Sequence, residues 1–150
     1  MKKFSFRLEP VLKYKSDLLE VLKNEYAQAA QNVVAQRMKI EELKKEENAL
    51  ILKFNTKKEE GITIAEATIF ESFIIKQNKL IKEQTAQLNH LKKIEDEKRE
   101  KMIGAKKEML SIEKLKSISE EEYKKETQKE NELFIEEFVT GASLKHKKVI

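Results

Sequence analysis

Cysteine and tryptophan are absent from this 150-residue chain, proline occurs once, glycine three times, and aromatic residues make up only 7%. Without cysteine there is no disulfide frame, no thiolate metal site and no cysteine nucleophile. None of the glycines stands in a GxxxxGK or GxGxxG arrangement, so no phosphate-cradling loop is present. His90 and His146, the two histidines, lie 56 residues apart and neither has metal-ligand spacing. Long apolar runs are missing as well. Segments such as Phe73-Ile74-Ile75 fall far short of the ~20 residues that a membrane helix requires. Met1-Lys2-Lys3 is not followed by the apolar stretch of a signal peptide, and the chain reads as soluble and intracellular.

Catalysis has no residues to stand on. Glu95-Asp96-Glu97 is a run of carboxylates, but neighbouring residues diverge on a helix and share no site, so the run reads as a solvated face. The sequence predicts no enzyme, no cofactor and no metal. The formal net charge of +4 raises nucleic-acid binding. Yet Lys and Arg interleave with Glu throughout, and a basic stripe with aromatic residues is lacking, so that reading is set aside. Membrane-surface binding by the N-terminal segment and the basic tail fails because too few apolar residues would insert.

What remains is charge, at 39% of residues, and aliphatic side chains. Such a composition belongs to long helices and coiled coils. Heptad counting from Leu12 puts Leu12, Leu19, Tyr26, Val33, Ile40, Glu47 and Phe54 at a, with Lys15, Leu22, Ala29, Gln36, Leu43 and Leu50 at d. Ten of these 13 are apolar or Tyr, a 3.5-residue period that a lone amphipathic helix would not need. Asn55 to Gly61 then carries no apolar residue, and Gly61 reads as a cap or turn. Thr63-Ile64-Ala65-Glu66 fits a capping box that opens a second helix.

The second helix has its own seam: Phe70, Ile74, Gln77, Ile81, Gln84, Leu88, Leu91, Glu95, Lys98, Met102, Ala105, Met109 and Ile112. A short turn between long helices favours an antiparallel pair. The sequence therefore predicts an all-α fold, a long antiparallel two-helix coiled-coil hairpin forming one domain over 1–150. Helix one is expected over about 8–57, the turn over 58–63, helix two over 64–139, and a loose basic tail over 141–150. Folding back would set Leu8 near Ile112 and leave everything from about Leu115 to Val139 beyond the start of helix one. From Ile118 to Phe138 this overhang carries eight Glu against three Lys, a net charge of −5, and it ends in Leu133, Phe134, Ile135, Phe138 and Val139.

The N-terminus differs from all this. Pro10 suits only a first helical turn, so regular helix should begin near Leu8. Phe4, Phe6 and Leu8 alternate with polar residues and are expected to lie extended along helix two near Ile112 and Leu115, as an anti-fraying lock. With the seam used up inside one hairpin, the free chain is expected to be a monomer.

Three motifs stand in order along the chain: F-x-F-x-L-x-x-V-L at Phe4, Phe6, Leu8, Val11 and Leu12; Gly61-Ile62 followed by Phe70 and Phe73; and Glu113-Lys114-Leu115-Lys116 before Glu121-Glu122-Tyr123-Lys124. Together they resemble the flagellar export protein FliJ family. The closing Glu132-Leu133-Phe134-Ile135-Glu136-Glu137-Phe138 is similar to the family's acidic end, with Phe134-Ile135 replacing a polar centre.

The resemblance covers nearly the whole chain. It implies a cytoplasmic, non-catalytic component of the flagellar type III export apparatus, peripheral at the inner face of the cell membrane at the flagellar base. It also implies a stalk for the hexameric export ATPase (FliI), contact with the export gate (FlhA), and a chaperone-escort role that brings export chaperones among the partners. In that picture the end carrying both termini enters the ring, through Phe4, Phe6, Leu8, Leu133, Phe134 and Phe138. Leu43, Leu50, Phe73 and Leu80 fall on the gate-facing side, where Gln77 and Gln84 depart from the apolar or His residues expected. The rivals are an injectisome stalk, a generic coiled-coil scaffold, and a prefoldin-like chaperone, for which the strand-like alternation is missing.

Overall fold

The computed structural model describes residues 2–149, with side chains over residues 2–142. Two helices, α1 (Glu9–Glu60) and α2 (Ile64–Val149), account for nearly all of them, and no strand occurs among the described residues. The fold is an all-α helical hairpin of coiled-coil type. All thirteen heptad positions of α1, from Leu12 to Phe54, are buried or half-buried. So are all thirteen seam positions of α2, from Phe70 to Ile112. Periodicity of the apolar residues therefore placed both contact faces correctly, polar members included.

By its contacts the chain divides into two compact units, Glu20–Gly104 and the combination of Met1–Leu19 with Ala105–Ile150. The first holds the turn. Its core is built from Ala29, Val33, Ile40 and Phe54 of α1 and Ile81 of α2. Phe54 stacks on Phe70 with ring centroids 5.2 Å apart, and the Lys58 ammonium sits 3.8 Å from the Phe54 centroid. Stacked rings and a cation over a face are both favoured by the ring quadrupole.

Gly61 adopts φ 94°, a conformation that L side chains rarely occupy, and its amide donates to the Lys58 carbonyl at 3.3 Å. Thr63 then caps α2, its Oγ1 accepting from the Glu66 amide at 3.2 Å. Only Gly61, Ile62 and Thr63 lie outside the helices here, so the turn is shorter than the expected 58–63. Lys57 to Glu60 contain no helix breaker, and Lys57 and Lys58 complement the C-terminal dipole of α1.

Polar residues inside the seam are tied across it. Gln36, itself buried, donates from Nε2 to the Gln84 main-chain carbonyl at 2.9 Å and to Gln84 Oε1 at 2.8 Å. Gln77 Nε2 donates to the Leu43 carbonyl at 3.1 Å and to Glu46 Oε2 at 3.2 Å. Lys98 pairs with Glu25 at 3.1 Å. Gln77 and Gln84 thus serve the helix pairing, which accounts for polar side chains where apolar ones were expected.

In the second unit Leu19 and Ala105 are buried, and two ion pairs tie the helices: Lys15–Glu108 at 2.8 Å and Lys116–Glu9 at 2.9 Å. Each hydrogen bond to its carboxylate, Glu108 or Glu9, raises the lysine above its ordinary range. Helix α1 starts where Pro10 permits, with the Leu12 amide donating to the Leu8 carbonyl at 2.9 Å.

Three expectations need correction. The α2 residue facing Glu9 is Lys116, so Leu8 lies about one helical turn beyond Ile112. The turn is centred on Ile62, later than expected. Helix α2 also does not stop at Gly141 but continues to Val149, so residues 141–149 are helical and not a loose tail. Gly141 has no positive φ, and no proline follows to enforce a stop. Glycine costs about 1 kcal/mol in a helix interior relative to alanine, which weakens a helix without ending it.

Candidate docking surfaces

The N-terminal segment is the first element beyond ordinary hairpin packing. Residues 2–6 have no regular structure, and a turn at Arg7–Leu8 leads into α1, with the Glu9 amide donating to the Phe6 carbonyl at 3.1 Å. Phe4, Phe6 and Leu8 are half-buried while Ser5 and Arg7 are exposed. This period-two alternation is what a strap with one face on a helix requires. Its Phe4 end docks at Tyr123, further along α2 than the expected Ile112 and Leu115. The Phe4 ring lies 5.4 Å from the Tyr123 ring, tilted by 55°, and Tyr123 Oη donates to the Lys2 carbonyl at 2.6 Å. Aromatic pairing of this type contributes about 0.5–1.5 kcal/mol beyond area burial, and a neutral hydrogen bond a similar amount.

Beside this contact runs a groove of about 590 Å³ lined by Lys2, Lys3, Phe4, Glu122, Tyr123, Glu126 and other residues. Continuing the α2 heptad past Ile112 reaches Lys116, Ser119 and Tyr123, all half-buried, and Thr127, one turn after Tyr123, is half-buried as well. That continuation was the signal for Tyr123, which stopping the count at Ile112 concealed.

The uncovered part of α2 therefore starts after Thr127 and not at Leu115. Every residue from Gln128 to Thr140 is exposed. Within it Phe134 and Phe138 are 70% and 69% exposed, and Leu133, Ile135 and Val139 are exposed nearly as far. At ~100° per residue, Phe134, Phe138, Ile135 and Val139 span roughly 140° of arc, with Glu132, Glu136 and Glu137 outside it. An apolar face this wide on a helix normally lies on another element. Here none of the described residues covers it.

The unit holding the turn carries a second apolar stripe. Ile69, Phe73 and Leu80, spaced by four and seven, are exposed beside the α2 seam. Leu43 and Leu50, placed on the same side by the resemblance, are half-buried seam residues that the pairing of α1 with α2 already uses. The structure thus separates the four gate-facing candidates into two that are available and two that hold the hairpin together. It likewise separates Phe4, Phe6 and Leu8, engaged within the chain, from the free Leu133, Phe134 and Phe138.

Among the described residues, no group of three His, Asp or Glu side chains is placed to hold a metal ion, and no helix is long and apolar enough to cross a membrane. The side chain of His146 lies outside the described residues.

Compared with known proteins, residues 4–148 match the family model described as Flagellar FliJ protein. No curated protein and no solved structure matches the chain.

Proposed function

This chain belongs to the flagellar FliJ family, a non-catalytic component of flagellar protein export, and from that premise we propose that it is the stalk of the hexameric export ATPase, FliI. In this reading it works in the cytoplasm at the inner face of the cell membrane, at the flagellar base. One observation carries the proposal: α2 runs past its last covered residue, Thr127, into an exposed acidic segment that ends in an apolar face. A free hairpin has no use for it. A helix end gripped by a ring does, because complementary charges speed association and apolar anchors then hold.

The turn-bearing unit would face the export gate, FlhA, through Ile69, Phe73 and Leu80. Leu43 and Leu50 would support that face from behind without touching the partner. An escort role toward export chaperones would use these same exposed stripes. The free chain is read as a monomer, since both seams are satisfied within it.

Truncation after Thr127 tests the stalk assignment. The shortened chain should remain helical and keep its strap, yet fail to stimulate ATP hydrolysis by the partner ring. Full stimulation by the truncated chain at moderate salt would rule the stalk role out.

A further inference from the structure

Glu122, Glu126 and Glu130 stand at successive i, i+4 positions of α2, and all three line the groove beneath the N-terminal strap. Like charges at this spacing repel and disfavour the helix. Across the same groove lie Lys2 and Lys3. Among the described residues neither lysine closes an ion pair with any of the three carboxylates, so the two sets attract each other without being locked. The direct holds on the strap are few: the Phe4 ring on Tyr123, the Tyr123 hydroxyl on the Lys2 carbonyl, and the Lys116–Glu9 pair at the strap's base.

The half-buried residues of α2 over 116–127 are polar apart from Tyr123: Lys116, Ser119, Glu120, Tyr123 and Thr127. The strap's own face, Phe4, Phe6 and Leu8, is therefore the more apolar of the two surfaces. It is only half-buried when docked.

From this we infer that residues 2–8 form a releasable strap, displaced from α2 when a cationic surface binds the Glu122–Glu126–Glu130 row. A polycation competes directly with Lys2 and Lys3 for the three carboxylates. It also relieves their mutual repulsion. Losing the lysines' attraction leaves the strap on one aromatic contact, one hydrogen bond, the ion pair at its base and the half-burial of its apolar face. Release presents Phe4, Phe6 and Leu8 as a free apolar motif and uncovers Tyr123. Binding of a basic partner to the acidic row and exposure of the apolar strap thus become one linked equilibrium. The inference rests on contacts within the chain and holds whichever machine the chain serves.

The chain contains no tryptophan, so Phe4→Trp reports on the strap alone. Its emission should be blue-shifted relative to that of Phe4→Trp/Tyr123→Ala, whose strap has lost its anchor. A deca-lysine peptide should then shift the Phe4→Trp emission to the position of the double variant, with helicity by circular dichroism unchanged. In the background Glu122→Gln/Glu126→Gln/Glu130→Gln the peptide should have no such effect. Identical emission from the single and double variants would show that the strap is not docked and overturn the proposal. An unchanged emission on adding deca-lysine would also overturn it, as would an equal shift in the triple Gln background. No partner ATPase enters the measurement, so its failure is distinct from failure of the stalk assignment.

Discussion

The side-chain amide of Gln36 donates twice to one residue of the opposite helix, to the carbonyl oxygen and to the side-chain oxygen of Gln84. Both residues lie at seam positions where apolar contact alone would tolerate sliding by a heptad. A paired polar group at such a position fixes register at some cost in stability.

Removing one member of this pair is expected to be worse than removing both. Gln36→Ala leaves the Gln84 oxygens short of a donor beside a cavity and should destabilise the hairpin by about 1–3 kcal/mol in chemical denaturation. Gln36→Leu/Gln84→Leu should be as stable as the natural chain, or more so. A double variant as unstable as the single would refute this account of the pair.

Two glycines are expected to respond in opposite directions to alanine. At Gly61 an alanine must hold φ near 94°, so Gly61→Ala should cost about 1–2 kcal/mol. At Gly104 an added Cβ meets nothing within 4 Å, and Gly104→Ala should stabilise by about 0.5–1 kcal/mol. Thermal unfolding of the two variants side by side reads both signs.

Leu43 and Phe73 separate packing from binding. Leu43→Asp places a carboxylate in the seam and should lower helicity and every partner interaction together. Phe73, 54% exposed, lies off the seam, and Phe73→Asp should change stability by no more than about 0.5 kcal/mol while weakening gate binding. Circular dichroism with pull-downs distinguishes the cases. Equal loss of gate and ATPase binding by a fully helical Phe73→Asp chain would contradict the two-ended assignment.

Alkaline pH should loosen the unit that contains Lys15 and Lys116. The hydrogen bonds to Glu108 and Glu9 raise both lysines above the ordinary 10.5 in the folded chain. Their contribution is complete below that value and disappears as pH rises through the folded values. The thermal midpoint should fall above pH ~10.5, and it should fall less in Lys15→Met/Lys116→Met. Parallel slopes in the two chains would remove these pairs from the account.

Most of the helical pairing was legible because it obeys one rule along its whole length. A 3.5-residue repeat identifies the contact face even where its members are Lys15, Glu47 or Gln77. Helix ends were read less well. Gly61 and Gly141 look alike in sequence, yet only Gly61 adopts a positive φ, because the chain must reverse there for Phe70 to reach Phe54. The strap's apolar alternation was also visible, but its docking height was not. That height depends on the turn centre and on Tyr123, a residue more than a hundred positions away. Exposure of Phe73 against half-burial of Leu43 was implied by the heptad count, which set Leu43 at d and left Phe73 off the seam, although the resemblance had grouped the two on one face.

A pairing that repeats every seven residues around a three-residue turn also dictates how such a chain changes length over evolution. Deleting one residue from α1 between Gln36 and Phe54 turns everything on one side of the lesion by about 100° and carries its seam out of contact. Deleting seven restores the face but leaves α2 one heptad too long, with Gln84 or Phe70 facing a stranger. Tolerated length variants should therefore come as whole heptads lost or gained in both helices at matching heights. The segment beyond Thr127, which meets no partner helix among the described residues, is exempt from that matching rule.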